Sequence, residues 1–340
     1  VDIFVMKKSV VLVGILVLLL VGSLFLGGCG KKDDLTKVRL NEVTHSVFYA
    51  PMYAAINLGY FEEAGISLEL TTGQGADKVM TALLAGQADV GFMGPEAAIY
   101  VFNQGQDDYV VNFAQLTKRD GSFLMGRAPD PDFDWEKVRG STIIGGRKGG
   151  MPLMTLRYVL KNNGICPDRD VEVLTNIQFA LMAGAFTGGE GDYVTLFEPV
   201  ATSLELEGAG YVVASVGEHS GEIPYTVFSA RKSYLEKNPD IIQKFVNAIY
   251  RGQLFVEANT PAEIARAIKP SFPETDEAVL ENVARRYKEI DAWAKTPVFT
   301  EEAFNRLQDV IELAGELDKR APYDKLVTNR FAAEAVRTVK

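Results

Sequence analysis

Cysteine and histidine are nearly absent from this chain of 340 residues, with two of each. Once Cys29 is assigned to the export segment described below, Cys166 is the remaining thiol, so no intrachain disulfide is expected. No His/Cys pair has ligand spacing, so neither a metal centre nor another cofactor is expected. His45 and His219 also give no Ser-His-Asp or Cys-His arrangement for nucleophilic catalysis. Cys166 itself lies in Asn163-Gly164-Ile165-Cys166-Pro167, which reads as a helix end and turn, and its thiol is read as structural. Positive charge is in deficit too. Lys and Arg number 35 against 45 Asp and Glu, a formal charge of −10, and nucleic acid is not an expected partner.

One long uncharged run is present. Ser9 to Gly28 follows Lys7-Lys8 and ends in Leu26-Gly27-Gly28-Cys29, after which Lys31, Lys32, Asp33 and Asp34 turn the chain polar. A positive start, an apolar stretch from Val10 to Phe25 and small residues before the cut are what secretion requires. The aliphatic-small-small-Cys ending resembles the box cut by the lipoprotein signal peptidase. That resemblance implies removal of residues 1–28, lipidation of Cys29 and a short tether over 29–37 at the outer face of the cytoplasmic membrane. A plain transmembrane anchor competes, since about 20 apolar residues span a bilayer, but it leaves the small-small-Cys ending without a purpose. One acyl chain binds membranes only marginally, so durable attachment requires several on Cys29. The segment before Cys29 carries Lys7, Lys8 and Asp2, so the chain beyond it stands near −11. Its 312 residues suffice for two domains with real cores.

From Lys37 onward, short β-rich runs alternate with amphipathic helical ones, the grammar of an α/β protein with mostly parallel sheets. Strands are expected at Val38–Val43, Ser67–Thr72, Ala88–Met93 and Val110–Thr117, with helices at Met52–Glu63, Asp77–Ala85 and Glu96–Gln104. After the turn-rich Ala128-Pro129-Asp130-Pro131-Asp132 the series repeats. Strands are expected at Thr142–Ile144, Val171–Leu174, Tyr193–Phe197 and Tyr211–Ser215, and helices at Pro152–Asn162, Phe179–Phe186 and Val200–Glu207. A faint repeat reaches individual residues. Gly86-Gln87-Ala88-Asp89 leads through a strand to Pro95-Glu96, and Gly189-Glu190-Gly191-Asp192 leads through a strand to Glu198-Pro199. Each half therefore should set a glutamate at the carboxyl end of a strand, where ligands of open α/β sheets bind. The last third, from Pro239, reads as helices that cover the first lobe. The map is lobe 1 over 38–117 plus 229–340 and lobe 2 over 118–228, with a cleft that closes by hinge motion.

Thr44-His45-Ser46-Val47-Phe48-Tyr49-Ala50-Pro51, then Leu58-Gly59-Tyr60-Phe61-Glu62-Glu63-Ala64-Gly65-Ile66, resembles the opening of ABC-importer solute-binding proteins. The branch is the one handling nitrate, sulfonates, taurine, bicarbonate and thiamine pyrimidine precursors. The likeness continues through Gly86-Gln87-Ala88-Asp89-Val90-Gly91, Gly149-Gly150 and Phe197-Glu198-Pro199, covering roughly residues 38–260. It implies a two-lobed periplasmic-binding-protein fold of type II with the ligand between the lobes. It also implies ligand loops at His45–Tyr49, Gly73–Asp77, Gly94–Glu96, Arg147–Met151 and Phe197-Glu198.

Each candidate in those loops has a chemical role beside a plainer one. His45 offers a hydrogen bond near neutral pH, or is satisfied by nearby backbone. Phe48 and Tyr49 offer an aromatic face to a flat ligand, or pack the first helix. Gly73-Gln74-Gly75, with Gln74 at its centre, opens a helix whose free amides suit a polar group. Arg147, Lys148, Gly149 and Gly150 form a second such turn, with two fixed charges suited to a carboxylate, sulfonate or phosphate; solvated loop charges are the alternative. Glu96 and Glu198, with Phe197 beside the latter, pull the other way, since a buried carboxylate needs a donor. Glu96 alternatively caps its helix.

The resulting expectation is a lipid-anchored, monomeric, non-enzymatic receptor. It captures a small molecule, read as a thiamine pyrimidine precursor or similar nitrogen-bearing organic, and presents it to an ABC permease and its ATPase. A sulfonate, taurine or nitrate binder is the alternative; a membrane-bound sensor and a thiamine-pyrimidine-synthesising enzyme are minor ones. That enzyme group relies on a cysteine-rich region, which this chain lacks.

Overall fold

The computed structural model describes residues 35–340; the expected export segment 1–28 and Cys29 lie outside the described residues. Two five-stranded sheets organise the chain. The first contains β1 (Thr36–Glu42), β2 (Ile66–Thr72), β3 (Val90–Met93), β4 (Val110–Thr117) and β10 (Thr226–Arg231), in the order β2-β1-β3-β10-β4. The second contains β5 (Ser122–Gly126), β6 (Thr142–Ile144), β7 (Glu172–Leu174), β8 (Tyr193–Phe197) and β9 (Tyr211–Ser215), ordered β7-β6-β8-β5-β9. The two orders are the same pattern, so the faint sequence repeat has a topological counterpart: β3 and β8 occupy equivalent central places.

Each sheet is parallel apart from one reversed strand, and that strand is the first laid down after the chain crosses between lobes. β5 pairs antiparallel with β8 and β9, and β10 pairs antiparallel with β3 and β4. Neither was expected as a strand from sequence. Both are buried almost throughout, so they read as short apolar runs without alternation. The expected helix Met52–Glu63 divides at Leu58-Gly59 into Ala50–Asn57 and Tyr60–Glu63.

Helix starts follow local chemistry. Pro51, Pro152, Pro239 and Pro261 sit in first turns, where a missing N–H costs nothing. Thr260 and Glu263 form a reciprocal capping box. The long helix Pro239–Ala258 backs the first sheet, with Phe245 set 5.1 Å from Phe61 and 5.2 Å from Phe228 between ring centres. The C-terminal helices also reach the second lobe: Glu301–Ala314 packs on Met151–Asn162, and Glu277–Glu289 carries Arg286 and Tyr287 to it. Phe48, Phe123, Met151, Met154 and Phe197 join one apolar cluster with the first-lobe core, so the seam between lobes is partly hydrophobic.

Candidate functional site

The carboxyl ends of β1, β3, β6 and β8 converge on the seam between the sheets, and the two crossings, Lys118–Gly121 and Gly221–Tyr225, form its floor. Its apolar half is aromatic. Phe48 lies 5.7 Å from both Phe197 and Tyr225 and 5.1 Å from Tyr287. The Phe48 ring presses on the floor so closely that a Cβ at Gly121 would stand 2.5 Å from it, so only glycine fits there. Tyr287 ties both sides, donating to the Gly121 carbonyl at 3.0 Å and accepting from the Glu198 amide at 3.2 Å. Ser46 donates across the seam to the Glu198 carbonyl at 2.7 Å.

The polar half is acidic. Glu96 begins the helix Glu96–Asn103 and is 2% exposed; its carboxylate folds back over Gly94, where a Cβ would stand 2.0 Å from Oε2. That Oε2 has no partner within the protein, and burial pushes the carboxyl up to about 8. Asp120 is fully buried in the first crossing. Its Oδ1 accepts from the Ser122 amide and hydroxyl, both at 2.6 Å, while Oδ2 has no partner. Burial raises Asp120 to about 6. The buried hydroxyls of Thr155, from the second lobe, and Tyr225, from the second crossing, stand beside Asp120 and partly offset that burial. Tyr49 is buried against Phe92 at 4.6 Å, and burial, with Glu42, Asp120 and Glu96 nearby, raises its phenol well above the ordinary value.

The remaining sequence candidates divide by place. His45 is exposed and turned to the first lobe's own helices: Nδ1 meets Glu42 at 3.0 Å and Nε2 the Ser271 carbonyl at 2.8 Å. The bond to Glu42 raises its pKa. Tyr53 donates to the same Glu42 at 2.5 Å and Thr72 at 2.9 Å, so a buried carboxylate is satisfied there by local donors. Gln74 is exposed with φ of 60°. Arg147 reaches across the rim to Asp77 at 2.6 Å, which lowers the Asp77 pKa; Lys148 is exposed, and Gly149 and Gly150 lead into the helix Met151–Asn162.

Glu198 is buried but fully supplied by the protein. Thr202 donates its amide at 2.8 Å and hydroxyl at 2.9 Å, and Arg286 its guanidinium at 2.7 Å, the same guanidinium meeting Glu205 at 2.5 Å. Asp120, Thr155, Tyr225 and Arg286 escaped the sequence reading. The first and third sit in the crossings, and any chain crossing twice between lobes must lay those residues on the cleft floor; that signal was available.

Comparison with known proteins places this architecture. The chain is 46% identical over 324 residues to the Bacillus subtilis (strain 168) protein named "Putative binding protein YtlA", covering 94% of this chain and 97% of the relative. The alkanesulfonate-binding protein SsuA from Xanthomonas axonopodis pv. citri, bound to MOPS, has a TM-score of 0.70 at 16% identity, covering 87% of this chain and 99% of that one. The periplasmic nitrate-binding protein NrtA from Synechocystis PCC 6803 has a TM-score of 0.70 at 16% identity, covering 90% of each chain. Those structural likenesses carry the fold, a two-lobed periplasmic-binding-protein architecture. The NMT1-like family model matches residues 35–269, and the chain belongs to that family.

Proposed function

We propose that this protein is the solute-binding component of an ABC importer. It is held by lipid on Cys29 at the outer face of the cytoplasmic membrane, where it traps a small organic molecule between its lobes for a permease and its ATPase. The carrying observation is the seam itself: Tyr49 and Glu96 from one lobe, Thr155 from the other and Asp120 and Tyr225 from the floor lie close together there, and Arg147 reaches from one lobe to Asp77 on the other. Names given to the similar proteins, a binding protein and receptors for alkanesulfonate and nitrate, support the same class. Capture and release need no covalent step, only a ligand that binds the closed form better than the open one.

The solute is a flat, nitrogen-bearing molecule of the thiamine-pyrimidine-precursor kind. Aromatic faces at Phe48 and Phe197 would hold its plane and the acidic half would accept its N–H groups. A sulfonate or nitrate is the second reading, favoured by Arg147, Lys148 and the free amides opening the helix Met151–Asn162. Calorimetric titration with aminopyrimidines and with alkanesulfonates separates the two. Tight binding of a sulfonate and none of a pyrimidine reverses the order of preference. Scattering or paired spin labels across the lobes should report compaction with the bound compound, and a cleft that stays open at saturation removes the importer reading.

A further inference from the structure

Both ring nitrogens of His45 meet oxygens, Nδ1 at 3.0 Å from Glu42 Oε1 and Nε2 at 2.8 Å from the Ser271 carbonyl. The carbonyl can only accept. Glu42 is fully buried and already takes hydrogen bonds from the Tyr53 and Thr72 hydroxyls, so it too serves purely as an acceptor. Two acceptors call for two N–H groups, which only the charged imidazolium carries. Phe272 covers the ring at 4.5 Å between centres, and an aromatic face suits a cation.

The place of His45 in the chain gives that charge a consequence. Its Ser271 end is a fixed post, because Asn57, closing the helix Ala50–Asn57, donates to the Ala267 carbonyl at 2.9 Å and to the Ser271 hydroxyl at 3.0 Å. The residue after His45 is Ser46, which donates across the seam to the Glu198 carbonyl at 2.7 Å and accepts the Phe48 amide at 3.2 Å. One residue is thus tied to a turn of the first lobe and its neighbour to the second lobe. We propose that His45 is a proton-operated latch: its imidazolium pins the loop 44–49 between Glu42 and the Ser271 carbonyl, and loss of the proton frees the loop and weakens its hold on the second lobe. The device is separate from whatever solute the seam takes.

A neutral ring has one N–H for the two acceptors. With the proton on Nδ1, a lone pair faces the Ser271 carbonyl; with it on Nε2, a lone pair faces Glu42. Tyr53, whose hydroxyl is 3.0 Å from Nδ1, can fill that second gap only by leaving the buried Glu42 carboxylate. Among the described residues, the titratable groups facing the ring are Glu42 on β1 and Tyr53 on the helix Ala50–Asn57. Thr72 on β2 carries no charge, and Lys269, on the turn Lys269–Ser271, is drawn away to the carbonyls of Pro273 at 3.1 Å and Thr275 at 2.6 Å. Tyr53 keeps its proton, its phenol being raised well above the ordinary value by burial. The His45 side chain is 42% exposed, so protons reach it from solvent. Its pKa is raised above 6.5, chiefly by the bond to Glu42, so the latch is whole below 6.5 and is lost as pH rises through the folded value.

The test uses the full chain without ligand, from about pH 5 to about pH 9. The sequence has two histidines, so nuclear magnetic resonance follows the His45 ring alone once His219→Gln has identified the signals. Its midpoint should lie above 6.5. Amide exchange in the loop 44–49, corrected for the intrinsic rate, should lose ~10-fold protection through that same midpoint. His45→Gln should leave the loop at the less protected level at every pH, and Tyr53→Phe, which takes a competing donor from Glu42, should move the midpoint upward; the midpoint and this shift are read whether or not His45→Gln folds. Paired spin labels across the lobes should report a larger open population above the midpoint, a change absent from His45→Gln. A midpoint at or below 6.5, a loss of protection that His45→Gln leaves in place, or a lobe distance that ignores the His45 titration overturns the latch.

Discussion

Glu96 and Glu198 hold matching places in the two sheets, each just past the central strand β3 or β8 and each beside a proline, yet their surroundings are opposite. Glu198 is given three protein donors, from Thr202 and Arg286. Glu96 keeps Oε2 without one and is pushed up to about 8 by burial. Topology supplies the position of a strand-end carboxylate, while its neighbours decide its use. In the second lobe the C-terminal helix Glu277–Glu289 brings Arg286 to the carboxylate and makes a clasp of it; Glu96 receives no such helix and is left to face the seam.

The largest expected effect comes from breaking the satisfied side. Glu198→Ala strands the Arg286 guanidinium, three-quarters buried, with Glu205 alone, and removal of one partner from a buried pair costs about 3–4 kcal/mol. Urea denaturation should register that loss, while Glu96→Gln at pH 7 should shift the midpoint by less than ~1 kcal/mol, since the carboxyl it replaces is already largely protonated there. Equal losses in the two variants would end the contrast.

The pH dependence of the ligand-free protein sharpens it. The folded-state pKa of Glu96 lies above its unfolded value of 4.5, so the folded form holds its proton more tightly. That contribution is whole below about 4.5 and is lost as pH rises through about 8, so stability should fall by about 2–3 kcal/mol between pH 5 and 7.5. Asp120, raised to about 6, adds to the same trend at its lower end. Tyr49, Tyr100 and Tyr225, the ionisable neighbours of Glu96, stay protonated throughout, their phenols being raised by burial. Glu96→Gln should flatten most of the slope. A melting temperature that rises over this range, or a slope the variant leaves intact, contradicts the assignment.

The fold was legible because its signals are local. Alternation of strands and helices, the Gly-X-small-Asp turns and the opening motif all appear within ten or twelve residues, and β1 to β4 and β6 to β9 followed. β5 and β10 escaped because a strand inserted from across the hinge has no partner nearby in sequence; only closing the sheet reveals it. The site suffered similarly. Phe48, Tyr49, Glu96 and Phe197 were reachable from the ends of strands, but the fate of Glu198 depends on Arg286, 88 residues away. His45 reads as a ligand group from its loop alone, yet Glu42, a strand residue facing the interior, and the Ser271 carbonyl claim both its nitrogens.

The smallest effect concerns the rim. Arg147 and Asp77 join the lobes at 2.6 Å, but both are well exposed, 39% and 57% by side chain, so their net contribution to folding is under about 1 kcal/mol. Arg147→Ala should therefore leave the urea midpoint nearly unchanged, unlike Glu198→Ala. What it should alter is the lobe distance in the ligand-free protein, because the pair exists only when the lobes are together. Paired spin labels, one per lobe, should report a larger open population in the variant. In the unmodified protein, 1 M salt should produce a similar shift, since screening there acts within about 3 Å. A rim that breaks with no change in lobe distance would leave the Glu198–Arg286 clasp and the aromatic seam as the whole of what holds the lobes together. A several-kcal/mol loss of stability would instead make the rim structural, and the division between a clasped side and an unclasped side would have to be redrawn.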